Sequence, residues 1–416
     1  MLNRSHLIGI IFGLLFCFDR IPVPFGPSNM PPIYVFSAFY CILNIFKNFY
    51  INKKALMLLL FLFVLFIHSF FMLIINGLGS SAWIFEWLEF LVKLGLVTSF
   101  ILCLSNIFQE CNKRLFFQGI FQGTILTILL ASLHVVWMVS GIESLGDLIR
   151  NVRELFATPG FASETVRTRV ASFSNEPSSF GALVFLFIFP ISFMLSKNFL
   201  KKWYIIFVGI FSYSGTSLVS FFVAGFLSMK RHYKFLTISI TLLITLYFSR
   251  LILEFFEDNH IVYVVSIIFS DLEKTLQIDA RLGSSFFMFF ESISIWSFFG
   301  SGVGSIHLLG VERLTYEFVE VLRINSKGDL NLKTLVGNII FDFGLIISIS
   351  LFFIFLRYLT YLRKDSVVKK YIVFGLIIYS FFGFSYISPI IWFWTTTLLL
   401  IDINSIVSDQ TSKSHS

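Results

Sequence analysis

The chain has 416 residues, of which 56% are hydrophobic and 13% charged. With 56 phenylalanines and a mean hydropathy of +0.86, it carries more apolar surface than a soluble protein of this length can use. Its repeated long apolar runs indicate a polytopic membrane protein forming one integral membrane domain over 1–416. The net charge of +7 calls for no nucleic acid, because Lys and Arg on cytoplasmic loops account for it.

Arg4 precedes a first span at about 7–20. It lacks a small-residue cleavage site, runs into the Pro-rich segment 22–32, and reads as a span rather than a signal peptide. Further spans follow at about 32–46, 55–76, 83–108, 116–141 and 179–196. The apolar piece 203–229 has a polar, glycine-containing centre, Ser212-Tyr-Ser-Gly-Thr-Ser217, and reads as two short crossings that turn there. The remaining spans are expected at about 235–253, 335–356, 371–387 and 389–406, with a disordered tail over 409–416. The expected fold class is therefore an all-α membrane protein with about twelve transmembrane helices, eleven being the alternative.

Lysine-rich segments at 47–54, 197–202, 230–234 and 363–370 set the orientation, with both termini cytoplasmic. Two long connections, about 142–178 and 256–333, then lie outside. The first has arginines but no lysine, and the second has ten acidic against six basic residues. Both are too long to be ordinary linkers. Residues 281–299 and 311–322 read as amphipathic helices, separated by the glycine break Gly300-Ser-Gly-Val-Gly304.

The stretch from Arg167 to Gly181 concentrates polar chemistry before an apolar run. Asn175 can cap a helix, Pro177 suits its first turn, and Glu176 sits at the positive end of the dipole. External arginines oppose the positive-inside bias and need a reason. Arg150, Arg153, Arg167, Arg169 and Arg281 could receive phosphate, which a guanidinium matches bidentately. Within the fourth span, Glu86, Glu89 and Lys93 are intramembrane charges, with Glu89 and Lys93 spaced as a self-neutralising pair. His68 and His134 lie in apolar runs and read as structural, while His307 follows the glycine break as a secondary base. No His/Asp/Glu cluster or cysteine pair among Cys17, Cys41, Cys103 and Cys111 has metal or redox spacing, so no metal and no cofactor are expected.

Three pieces carry a family resemblance: Arg169-Val-Ala-Ser-Phe-Ser-Asn-Glu-Pro-Ser178, the segment from Arg281 to Gly304, and Asn338-Ile-Ile-Phe-Asp-Phe-Gly-Leu-Ile346. Together with the span count and the serine-rich turn at 212–217, they resemble the Wzy-type O-antigen and capsular polysaccharide polymerases. These belong to one superfamily with the O-antigen ligases. The resemblance implies transfer of a glycan from undecaprenyl diphosphate to an incoming lipid-linked repeat unit, at the outer face of a bacterial inner membrane. It also implies that a flippase and a chain-length regulator work alongside. By motif match Arg169 and Arg281, with Arg167 beside them, become diphosphate contacts, Glu176 the motif acid, and Asp342 with Gly344 the acid and glycine of the span after the large loop. Where ligases carry a His-Asn pair, this chain has Lys333-Thr334, which favours polymerase over ligase. A lipid-linked oligosaccharide flippase or other secondary transporter is the reading from a different class.

Overall fold

The computed structural model describes residues 3–18, 31–44, 51–76, 81–156, 170–173, 177–196, 198–212, 215–229, 298–303, 334–361, 365–381 and 388–406, with single positions 306, 309, 319, 332 and 383. All secondary structure within them is helical. Four of these helices, Lys53–Ile75, Trp87–Glu110, Lys113–Ser140 and Leu335–Ile354, are long and apolar enough to cross a membrane. The span expected at 235–253, the amphipathic segments 281–299 and 311–322 apart from positions 298, 299 and 319, and the tail 409–416 lie outside the described residues.

Two compact units are formed. Unit 1 comprises Met1–Leu62, Val92–Phe221 and Ile387–Ser416; unit 2 comprises Phe63–Leu91 and Phe222–Tyr386. The helices in chain order are α1 (Arg4–Cys17), α2 (Pro32–Asn44), α3 (Lys53–Ile75), α4 (Ser81–Glu110), α5 (Lys113–Gly123), α6 (Ile125–Ser140) and α7 (Glu143–Phe156). A composite helix follows, made of α8 (Pro177–Ala182), a π-helix (Leu183–Ile188) and α9 (Phe189–Leu195). Then come α10 (Phe199–Ile210), α11 (Gly215–Ser228), α12 (Leu335–Tyr361), α13 (Val367–Ser380) and α14 (Pro389–Leu400).

In unit 1 helices α1 and α5 run parallel, backbone on backbone. Each carries two glycines four residues apart on one face. A Cβ on Gly9 would stand 2.1 Å from the Phe116 carbonyl oxygen, and one on Gly119 would stand 2.2 Å from that of His6. Gly13 and Gly123 repeat the arrangement one turn along, against Ile120 and Ile10. Such small-residue seams let membrane helices approach where hydrophobic force between them is weak.

Phenylalanine fills the space around the seam. Phe16 stacks on Phe187 with centroids 4.2 Å apart, Phe393 meets Phe16 and Phe187 edge-on, and Phe12 packs between Phe100 and Phe116. Each well-placed ring pair contributes about 0.5–1.5 kcal/mol beyond its area, which gives the chain's phenylalanine content a use in packing.

The composite helix 177–195 has a π-helical centre whose six side chains are all buried. The cause is Pro190. It has no N–H for the Leu186 carbonyl, and in an α-helix its ring would clash with that carbonyl. The turn widens, Phe189 N–H bonds to Val184 O, and the indole N–H of Trp394 donates to Leu186 O at 2.6 Å. Trp394→Phe keeps the ring and removes this donor. We expect it to cost about 1–3 kcal/mol, the penalty of an unsatisfied buried acceptor, read as a lowered thermal midpoint in detergent.

Helices α10 and α11 make a hairpin against this composite helix. Lys202 lies over the Phe193 ring and Gly209 meets Val184 and Phe185, so α10 runs back along it. Ser217 meets Gly181 and Phe221 packs on Phe185 and Phe189, so α11 runs with it. The chain thus reverses between Ile210 and Gly215, where the serine-rich turn was expected.

In unit 2, α12 is not one straight helix. Gly344, with φ 78° and ψ 175°, interrupts it. The strap 298–303 enters the break: Ser301 N–H donates to Phe341 O and Gly302 N–H to Asp342 O, both at 2.9 Å. On its other side Val303 N–H donates to Ser69 Oγ at 2.8 Å, and Asn76 Nδ2 donates to Ser301 O at 3.1 Å. Ser69 of α3 and Asn76 just after it therefore serve the strap. Non-helical backbone at this depth is tolerated because every one of these groups finds a protein partner.

Candidate functional site

The two ends of unit 1 differ in chemistry. At one end Asn112 N–H donates to Ser5 Oγ at 3.1 Å, Arg4 pairs with Glu110, and Ser405 and Ile406 lie beside the 111–114 turn. The beginning of α1 and the residues after α14 thus share the end that carries Lys113 and Arg114. The opposite end gathers three pieces that the sequence singles out: residues 170–173, the start of the composite helix, and the serine-rich turn.

Residues 170–173 are wholly buried. Val170 N–H donates to Phe211 O at 3.0 Å, and Ser172 Oγ donates to Thr127 O at 2.9 Å. Ser172 adopts φ 49°, left-handed backbone that a non-glycine residue holds only where its surroundings impose it. The fold therefore fixes a strained turn directly after Arg169 in sequence. Four residues into the composite helix, Gly181 faces two buried serines. A Cβ there would stand 2.7 Å from Ser217 Oγ and 2.9 Å from Ser212 Oγ.

Over this end lies α7. Gly141, in left-handed conformation, ends α6, and α7 begins two residues later. Gly146 rests on the Trp137 indole, and Leu145, Ile149 and Val152 pack with Leu130, Trp137 and Phe173. Glu143, Asp147 and Glu154 take the exposed face. The two arginines of α7 have different fates. Arg150 bonds Asp147 at 2.6 Å, reaches Glu143 at 3.7 Å and lies over the Trp137 ring. Its charge is engaged locally, and Asp147 holds its pKa further up.

Arg153, one turn beyond Ile149 on the inner face, is only 2% exposed. Burial pushes its guanidinium down to about 10, so it stays cationic at neutral pH. A buried cation is costly, and this one belongs to the helix whose Ile149 and Val152 pack with Phe173.

Of the other residues singled out, Arg167, Arg169, Glu176, Arg281 and His307 lie outside the described residues, as does the side chain of Glu86. Glu89 and Lys93 are one turn apart on α4 and only partly buried. His134 is fully buried beside Trp137. His68 lies against Phe343 in unit 2 and hydrogen-bonds the Phe299 backbone. Asp342, 3% exposed, lies two residues before the break in α12. Among the described residues no group of three His, Cys, Asp or Glu is placed to hold a metal ion.

Helix α7, the π-helix and the break at Gly344 were not anticipated from sequence. The period of Leu145, Ile149 and Val152 is the signal for the first, and Pro190 inside an apolar run is the signal for the second. Compared with protein-family models, curated proteins and solved structures, the chain matches none.

Proposed function

We propose that this protein polymerises undecaprenyl-diphosphate-linked oligosaccharide repeat units at the outer face of a bacterial inner membrane. The observation that carries this reading is the convergence of the strained turn at 170–173, the start of the 177–195 helix and the serine-rich turn at one end of unit 1, with α7, the helix of buried Arg153, packed on Phe173. In this reading Arg169 and Arg281 hold the donor diphosphate and stabilise the charge it gains as leaving group. Arg153 adds a cation from beneath α7. Glu176 serves as the motif acid, either accepting the proton of the acceptor hydroxyl or anchoring the site. Twelve spans with cytoplasmic termini belong to the same reading. Their support is that the beginning of α1 and the residues after α14 share an end with Lys113 and Arg114, which the positive-inside bias assigns to the cytoplasm.

A second reading, secondary transport of a lipid-linked oligosaccharide, draws on one observation. A discontinuous helix beside a buried carboxylate, as at Gly344 and Asp342, is a device that transporters use at their binding sites.

The test is a gel of surface glycan from a strain lacking the gene, complemented with wild type, Arg169→Ala, Arg281→Ala or Arg153→Met. Polymerase predicts a single anchored repeat unit in the deletion strain and a ladder restored by wild type only. Arg153 is buried and engaged, and removing one member of a buried charged interaction costs stability. Arg153→Met is therefore expected to lower the thermal midpoint as well as lose the ladder, and Arg169→Ala and Arg281→Ala carry the test. Repeat units trapped inside would favour transport, polymer stranded on its carrier lipid would mean a ligase, and an unchanged ladder would end the glycan reading.

A further inference from the structure

At the basic end of unit 1 a cavity of about 220 Å³ is lined by Cys111, Asn112, Lys113, Arg114, Ser405 and Ile406. Its floor is the turn between α4 and α5, and its wall is the short helical segment 403–406 that follows α14. The cavity is set at the ends of apolar helices, where a bilayer's headgroups begin. Leu7, on the outside of α1 one turn above Arg4, is 47% exposed and offers an apolar surface beside it. Arg4 is held near by the bonds of Glu110 and Ser5 to this turn. Lys201 and Lys202 lie in the first turn of α10, and Lys202 sets its ammonium over the Phe193 ring, 3.9 Å from its centroid.

We infer that this cavity is a binding site for the phosphate headgroup of an anionic phospholipid. Lys113 and Arg114 face the phosphate, and the acyl chains lie along the exposed apolar flank of α1. The volume suits a phosphoglycerol headgroup and is too small for the lipid's chains, which must stay outside. The basic residues at this end supply attraction for a negative headgroup over a zwitterionic one, at about 1 kcal/mol for each Lys or Arg near the surface. The Cys111–Arg114 turn joins α4 to α5, so a lipid seated here would brace the helix that carries the Gly119 seam. The inference stands on the geometry of unit 1 alone and is independent of the polymerase reading.

The test is native mass spectrometry of the full-length protein in mild detergent, titrated with dioleoylphosphatidylglycerol or dioleoylphosphatidylcholine. The wild-type protein is expected to retain one phosphatidylglycerol in clear preference to phosphatidylcholine. Lys113→Gln with Arg114→Gln should weaken that binding about thirtyfold. Lys53→Gln with Lys54→Gln, on the exposed first turn of α3, should leave it unchanged. If the double variant fails to fold, each single variant is expected to lose about fivefold. Equal retention of the two lipids, or undiminished binding by the Lys113/Arg114 variants, would overturn the site. Displacement of phosphatidylglycerol by millimolar inorganic phosphate would make it a small-anion pocket and overturn the lipid assignment.

Discussion

Gly119→Leu is expected to abolish folding of unit 1, whereas Gly95→Leu should leave it intact. The two substitutions add the same side chain to membrane-length helices and differ only in what the Cβ meets. At Gly119 it meets the His6 carbonyl oxygen at 2.2 Å, the Ile10 nitrogen at 2.8 Å and the Gly9 Cα at 2.9 Å. All three are backbone atoms, so no rotamer change can relieve the clash, and α1 must leave α5. Overpacking a core costs about 1–3 kcal/mol when side chains can adjust. Where they cannot, a loss above about 4 kcal/mol is expected. Gly95 has nothing within 4 Å. The readout is the monodisperse fraction on size exclusion in mild detergent, with the thermal midpoint of whatever remains. A Gly119→Leu protein melting within about 1 kcal/mol of the parent would show that the seam is dispensable.

The seam and the hairpin illustrate what the sequence makes legible. Hydropathy places α3, α4, the α5–α6 helix and α12 because a bilayer demands long apolar runs. Hydropathy puts two helix starts a few residues late, at about 116 and 203, whereas Asn112 accepts Leu115 N–H and Asn198 accepts Leu200 N–H to cap the helices at 113 and 199. The reversal between Ile210 and Gly215 follows from a polar, glycine-containing centre inside an apolar segment long enough for one tilted helix and short for two ordinary ones. Backbone conformation is different. Nothing in Asn338-Ile-Ile-Phe-Asp-Phe-Gly-Leu-Ile346 separates a tolerated glycine from one at φ 78°, because the cause lies some forty residues away, in the strap at 298–303. Burial of charge is equally hidden. Arg150 and Arg153 are three residues apart and look interchangeable, yet one turns to Asp147 while the other turns inward beyond Ile149.

Gly344→Ala should release the strap from unit 2. At φ 78° and ψ 175° the backbone occupies a region that is essentially glycine-only. A Cβ would in addition stand 2.4 Å from the Gly300 nitrogen and 2.5 Å from the Phe298 carbonyl oxygen. Alanine can escape in two ways, with the same consequence. If the break distorts, the bonds from Ser301 N–H to Phe341 O and from Gly302 N–H to Asp342 O lengthen. If α12 straightens, those two carbonyls regain helical partners at 345 and 346, and the strap's donors lose their acceptors. Either way Leu73, now 1% exposed with Gly302 against it, becomes accessible. All four native cysteines lie in unit 1, so a single Leu73→Cys reports on unit 2 alone. We expect the thiol at position 73 to react at least about tenfold faster with a small maleimide when Gly344→Ala is added. That corresponds to about 1.4 kcal/mol, within the strain and clash at stake. Labelling of the native cysteines should not change, which separates local release from global unfolding. Equal rates at position 73 in the two backgrounds would mean that the strap does not depend on the break.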